Sequence, residues 1–208
     1  MLSLNPTFVD LDAPATRNLL DLARSGNAAA FGDICRAYET RLLRQAMTLC
    51  GNETTAKELA EDTLVEAWKC LRRYNGRCEF FTWLCAILLN RHRHAFRRQR
   101  PRSLAMLGGR EREEFENLIS RLPDQEPLPD QAAQLREQAV LIWQCVQSLP
   151  ARQQQVVYLR FYVDHSLEGI AAALDCSLGT AKSRLYHALE RLRGMPELAA
   201  LFFNLDAP

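Results

Sequence analysis

Residues 166–193, SLEGIAAALDCSLGTAKSRLYHALERLR, gather Thr180, Lys182, Ser183, Arg184, Tyr186 and His187 within eight positions, with Arg191 and Arg193 following. These side chains carry the groups that a nucleic-acid duplex is recognised by. Lys182 and Arg184 can meet phosphates or guanine edges, Ser183 and His187 base edges, and Tyr186 a thymine methyl or a sugar. Leu178, Ala181, Leu185, Ala188 and Leu192 recur at intervals of three and four, so one helical face is apolar and the basic and polar residues turn away from it. The major groove of B-DNA admits one helix, and residues near the helix N-terminus reach the base edges.

The elements that must position this helix are legible nearby. Ser166 and Ser177 each stand where a hydroxyl can cap a first helical turn, and Ile170 and Leu174 repeat at helical spacing between them. The pattern predicts a helix, a short three-residue turn and a reading helix, with a plain helical hairpin bearing a solvated basic face as the alternative.

A second constellation lies in residues 80–98. From Phe80 to Leu89 every residue but Thr82 is apolar, whereas from Arg91 onward nearly every residue is charged or imidazole. Phe80, Trp83, Ile87, Asn90 and His94 fall on one helical face, which sets Asn90 where the apolar stripe meets Arg91, Arg93, Arg97 and Arg98. Aromatic faces for stacking, an amide for base edges and cations for phosphates together suit single-stranded bases. Phe80 and Trp83 taken alone also suit a core, and the arginines a solvated helix end.

Both constellations resemble one family. Residues 166–193 are similar to the helix-turn-helix that ends sigma factors of the extracytoplasmic-function (ECF) type, in the sigma-70 family, through Ser166, Ile170, Ala171, Leu174, Cys176, Gly179, Thr180, Lys182, Ser183, Arg184, Leu185, Ala188, Leu192 and Arg193. The stretch SLPARQQQVVYLRFY resembles the segment preceding it. Phe80, Thr82, Trp83, Leu84, Ile87, Asn90, Arg97 and Arg98 resemble the family's strand-opening helix, with departures at Phe81, Cys85, Leu88 and His94. AKELAEDTLVEAWKCLRRY resembles the helix that binds the clamp helices of the polymerase, which would make Glu61, Asp62 and Glu66 polar contacts; as residues they equally suit a solvated face. The resemblance spans roughly 15–98 and 130–194. It implies an alternative sigma factor that binds core RNA polymerase and promoter DNA, reads the minus-35 element with 180–187 and melts the minus-10 element with 80–98. It leaves room for an anti-sigma partner, and implies no catalytic residue, metal or cofactor.

Patterning predicts an all-α chain of two small helical domains, with no period-two alternation. Residues 1–14 read as a tail, 15–100 as the first domain, 101–129 as a flexible linker and 130–208 as the second domain. The net charge of +1 conceals segregation: 91–102 hold six arginines, whereas 111–130 hold seven acids against two arginines, which suit nucleic acid and a solvated linker respectively. Thr55 with Glu58 predicts a capping box opening the third helix. Leu135, Ala139, Ile142, Val146 and Leu149 predict the buried stripe of the helix that opens the second domain, and Leu198, Leu201, Phe202 and Phe203 a short C-terminal helix docked on it. No apolar run is long enough to span a bilayer and the N-terminus lacks a signal pattern, so a cytoplasmic location is expected. Seven scattered cysteines without a CxxC pair read as free thiols. Two rivals remain at this point: a helix-turn-helix regulator acting without core polymerase, and a metal or redox site built on Cys78, Cys85, His92 and His94.

Overall fold

The computed structural model describes residues 14–99 and 129–199, with side-chain surroundings for 18–95 and 138–199. The tail, the linker with its acidic run, the side chains of Arg97, Arg98 and Leu135, and Leu201, Phe202 and Phe203 lie outside the described residues.

The described residues form helices and turns without strands. Helix α1 (Pro14–Arg24) ends at Gly26, whose φ of +98° is open to glycine and costly for other residues. Asn27 then caps α2 (Ala28–Cys50), its side-chain oxygen accepting from the Ala30 N–H at 3.1 Å. Gly51, in the left-handed region at φ +66°, closes α2 by donating to the Met47 carbonyl. Asn52 immediately caps α3 (Glu53–Cys70) by accepting from the Thr55 N–H at 3.0 Å. The capping box expected at Thr55 and Glu58 is therefore replaced by Asn52, one turn earlier, and Thr55 supplies the donor. A 3₁₀ turn (Leu71–Arg73) leads to α4 (Phe80–Gln99). Tyr74 holds the connection by donating its hydroxyl to the Cys78 carbonyl at 2.6 Å.

Ile34, Tyr38, Leu42, Ala46 and Leu49 recur along one face of α2 and are buried against α3 and α4. On α4, Phe81, Leu84, Cys85 and Leu88 are closed off from solvent. Burying one such leucine stabilises the fold by roughly 1.5–3 kcal/mol.

Helices α5 (Pro129–Ser148), α6 (Ala151–Phe161), α7 (Leu167–Ala173) and α8 (Leu178–Arg193) follow, and residues 196–199 begin a short helix after Pro196. The stripe of α5 differs from expectation: Ile142 is exposed, and Trp143, Val146 and Leu149 face inward. Trp143 packs its ring on Tyr158 and Tyr162 of the α6 end, at centroid distances of 5.9 and 5.0 Å, and so takes the place expected for the smaller Ile142.

The two helical sets do not keep separate cores. Helix α4 packs against α6 and α7, and one continuous apolar cluster joins Leu84 and Leu88 to Val156, Tyr158 and Ile170. Among the described residues no helix is long and apolar enough to cross a membrane.

Candidate nucleic-acid interface

The helix-turn-helix is assembled from local signals. Ser166 accepts from the Gly169 N–H and Ser177 from the Thr180 N–H, each at 3.1 Å, so both expected caps form. The turn between α7 and α8 is four residues, Leu174–Ser177, one longer than the sequence pattern implies. Asp175 takes a positive φ of 49°, and the Cys176 N–H donates back to the Ala171 carbonyl at 2.9 Å. Ile170, Ala181 and Ala188 are fully buried, and the two alanines let α8 close on α6 and α7. Leu178, Leu185 and Leu192 are half-buried beside them.

The opposite face of α8 is open. Lys182, Ser183, Tyr186 and His187 are exposed, Tyr186 to 62%, and the Tyr186 and His187 rings meet edge to face at 5.4 Å. Arg184 is half-buried. Thr180 is partly committed to the cap, because its hydroxyl lies 2.8 Å from the Ser177 hydroxyl. The exposed set lies in the second and third turns of the helix, within the N-terminal part that in such motifs enters a major groove. Arg193 pairs with Glu190 on the surface near the C-terminal end.

The second constellation divides in two. Phe80 belongs to the core: it is buried among Tyr38, Tyr74 and Trp83, with ring centroids 5.2–5.4 Å away, because the aromatic residues of α2 and the 71–79 connection close over it. The expectation that Phe80 stacks on a base is corrected accordingly. Trp83, one turn along, is only half-buried. It lines a groove of about 560 Å³ together with Asn90, Arg91, Arg93 and His94 of α4, and Glu66, Cys70 and Arg73 across from them. An aromatic face, an amide and cations thus share one concavity, as single-strand contact requires. Arg73 adds a further cation from the 3₁₀ turn that follows α3; its signal in the sequence was the Arg72-Arg73 pair beside Tyr74.

Four site residues, Asn90, Arg91, Arg93 and Asp62, are already engaged. The Asn90 side-chain oxygen accepts from Gln155 of α6 at 2.8 Å and from Arg93 at 3.3 Å, so its amide is turned toward the second helical set instead of projecting into solvent. Arg91 pairs with Asp62 across α3 and α4. Glu61 and Asp62 are exposed on α3 and Glu66 is half-buried at the groove wall. An exposed ion pair such as Arg91 with Asp62 contributes about 0–1 kcal/mol, which leaves both groups available to other partners.

The histidines and cysteines do not converge. Cys85 lies in the core, where burial pushes its thiol far above the ordinary range. His92 is buried against the loop side of α2; burial lowers its pKa to about 4, with a hydrogen bond to the Leu49 main chain opposing part of that. Cys78 is half-buried before α4, its thiol pushed up to about 11 chiefly by burial and secondarily by Glu79, and His94 is exposed. Among the described residues no cluster of three His, Cys, Asp or Glu side chains could hold a metal ion.

Comparison with known proteins follows the same division. Residues 34–102 match the family described as Sigma-70 region 2, and residues 139–192 match Sigma-70, region 4. The chain is 26% identical over 177 residues to the RNA polymerase sigma-H factor of Pseudomonas aeruginosa, covering 85% of this chain and 91% of that protein. It is 28% identical over 181 residues to the RNA polymerase sigma factor CnrH of Cupriavidus metallidurans, covering 87% and 94%. The ECF RNA polymerase sigma factor SigW of Bacillus subtilis is 26% identical over 172 residues, covering 82% and 90%. Among solved structures, CnrH in complex with the cytosolic domain of CnrY shares the fold with a TM-score of 0.55 and 23% identity, covering 92% of this chain and 98% of that one. A groove with Trp83, Asn90 and Arg93 within the region 2 match and a capped reading helix within the region 4 match agree with these similarities, and the chain belongs to the sigma-70 family, among its ECF members.

Proposed function

We propose that this chain is an alternative sigma factor: it binds core RNA polymerase, brings it to particular promoters and starts their opening. The observation that supports this reading is that one chain bears two different surfaces whose side chains suit nucleic acid. Helix α8 offers Lys182, Ser183, Tyr186 and His187 to an intact duplex. The α3–α4 groove offers Trp83, Asn90 and Arg93, groups that suit bases already out of the helix. A regulator acting on duplex DNA alone has use for the first surface and none for the second.

In this reading residues 15–100 bind polymerase and the minus-10 element, 130–208 bind the minus-35 element, and 101–129 join them. Lys182 and Arg184 meet phosphates or guanine edges, while Ser183, Tyr186 and His187 meet bases and sugars, with Thr180 supporting the start of the helix. Arg91, Arg93, Arg97 and Arg98 neutralise the backbone of the separated strand, Trp83 stacks, and Asn90 reads a base edge. Glu61, Asp62 and Glu66 on α3 face the polymerase. The chain supplies recognition and strand separation, and the polymerase supplies the chemistry.

Run-off transcription with purified core polymerase and a library of promoter fragments tests this. Specific transcripts that require the added chain are expected. Retention of the chain on promoter DNA without any transcript, or failure to be retained by core polymerase, would overturn it.

A further inference from the structure

We propose that Tyr74, clamped from α1 by Arg24, is the positioning residue that holds Trp83 as the stacking wall of the α3–α4 groove. The first helix thereby takes part in strand binding without touching the strand. The inference rests on the sigma-factor reading for what the groove binds, and on the contacts below for how its aromatic wall is held.

Tyr74 is fixed at four points. Its N–H donates to the Leu71 carbonyl at 3.1 Å, and its hydroxyl donates to the Cys78 carbonyl at 2.6 Å, which fastens the two ends of the connection into α4. From α1, Arg24 donates through Nη2 to the Tyr74 carbonyl and sets its guanidinium 5.3 Å from the centre of the Tyr74 ring. The Nη1 of the same arginine lies 3.3 Å from Asp21, one turn back on α1, so the clamp is held from its own helix as well.

The ring so fixed is 8% exposed and packs on Trp83 with 5.4 Å between centroids. Phe80 packs on both, 5.2 Å from Tyr74 and 5.4 Å from Trp83. Of these three rings, Trp83 is the one that lines the groove. A half-buried indole can turn about its side-chain torsions unless its neighbours fix it, and stacking on a base needs one presentation of its face. Every other orientation lowers the apparent affinity of the groove by the fraction of chains left competent. Tyr74 removes those orientations, and Arg24 keeps Tyr74 in place. Arg24 lies ahead of residues 34–102, the segment that matches Sigma-70 region 2, so the clamp comes from outside the matched segment.

A Tyr74 that only supported the fold would affect strand binding whatever stood at position 83, whereas a positioning Tyr74 acts through Trp83 alone. A double-mutant cycle separates the two. The chain, assembled with core polymerase, is titrated against 2-aminopurine-labelled single strands of the promoter fragments it transcribes. Anisotropy reads affinity, quenching of the labelled base reads stacking, and thermal melting reads stability. Trp83→Ala should weaken binding by about tenfold or more and abolish the quenching. Tyr74→Leu should weaken it by about fivefold and Arg24→Gln by about threefold, each with partial loss of quenching, while Tyr74→Phe, which keeps the ring, recovers most of both. In a Trp83→Ala background neither Tyr74→Leu nor Arg24→Gln should weaken binding further. Arg24 is partly exposed, so Arg24→Gln keeps the cycle decisive where Tyr74→Leu fails to fold. Equal losses in both backgrounds, or lowered stability with binding and quenching unchanged, would overturn the inference. A chain that yields no transcript overturns the sigma-factor reading and the inference with it, a failure distinct from an additive cycle.

Discussion

Replacing Ser177 separates the stability of the reading helix from its recognition of DNA. The Ser177 hydroxyl accepts from the Thr180 N–H at 3.1 Å and lies 2.8 Å from the Thr180 hydroxyl. In Ser177→Ala both contacts go, and because the site is exposed, water recovers part of the lost bonding. The expected cost is about 1 kcal/mol, the usual loss for an N-cap serine, or a fall of roughly 2–4 °C in melting temperature for a chain of this size. Ser177→Asp should behave oppositely in stability, since aspartate caps as well as serine and its charge favours the positive end of the helix. That same charge stands at the N-terminal end of α8, the end that would approach the phosphates. Duplex affinity of Ser177→Asp should drop by about 1 kcal/mol at low salt, with the logarithmic salt dependence shallower by about one unit, the equivalent of one cancelled phosphate contact. Thermal melting followed by circular dichroism, beside fluorescence anisotropy on promoter duplexes at several salt concentrations, reads both quantities. If Ser177→Ala melts with wild type, the Ser177 cap does not stabilise α8; if Ser177→Asp binds duplex as tightly as wild type at every salt concentration, the capped N-terminus of α8 is not what meets DNA.

Lys182→Ala should weaken duplex binding by about 1–3 kcal/mol if Lys182 contacts a guanine edge, and relax selectivity at a single promoter position; binding to a panel of single-base promoter variants with an unchanged circular dichroism spectrum checks it. His92 links stability to acid. Its pKa is held down at about 4 in the fold by burial, against 6.5 for the free side chain, so the unfolded chain takes up the proton first. Its contribution is intact above pH 6.5 and lost progressively as pH falls toward 4, a total of about 3 kcal/mol. Urea denaturation across that range should show the loss in wild type and a much smaller one in His92→Gln.

What the sequence disclosed was mostly local. Ser166 and Ser177 were legible as caps because a cap depends on residues three apart, and Ala181 and Ala188 were legible as buried because helical spacing places them on one face. Local signals failed where two candidates lay within a turn of each other. Thr55 and Glu58 satisfy the capping-box pattern, yet Gly51 ends α2 and leaves Asn52 to begin α3. On α5 the periodicity placed Ile142 in the buried stripe, but the larger apolar area of its neighbour Trp143 is what faces Tyr162. Phe80 was ambiguous between base stacking and core, and the aromatic residues Tyr38 and Tyr74 resolved it toward the core. The contact of Asn90 with Gln155 links positions 65 apart, and that of Tyr158 with Gln45 positions 113 apart; no periodicity encodes such pairings. Most residues of the open α8 face and of the α3–α4 groove were therefore legible by spacing, whereas the long-range contact that engages Asn90 was not.

Strand opening is the central claim, and Asn90 is where it is most exposed to refutation. Extruding a base costs a few kcal/mol of stacking and pairing, and an amide placed at the groove offsets part of that cost only once the strands have separated. Permanganate footprinting of unpaired thymines, on promoter duplex with core polymerase and either wild type or Asn90→Ala, measures it directly. Wild type should expose thymines in the minus-10 element, and Asn90→Ala should bind polymerase and duplex nearly as well while exposing fewer of them. Equal exposure with both chains would remove Asn90 from the strand-binding site, and no exposed thymines with wild type would contradict the account at its base.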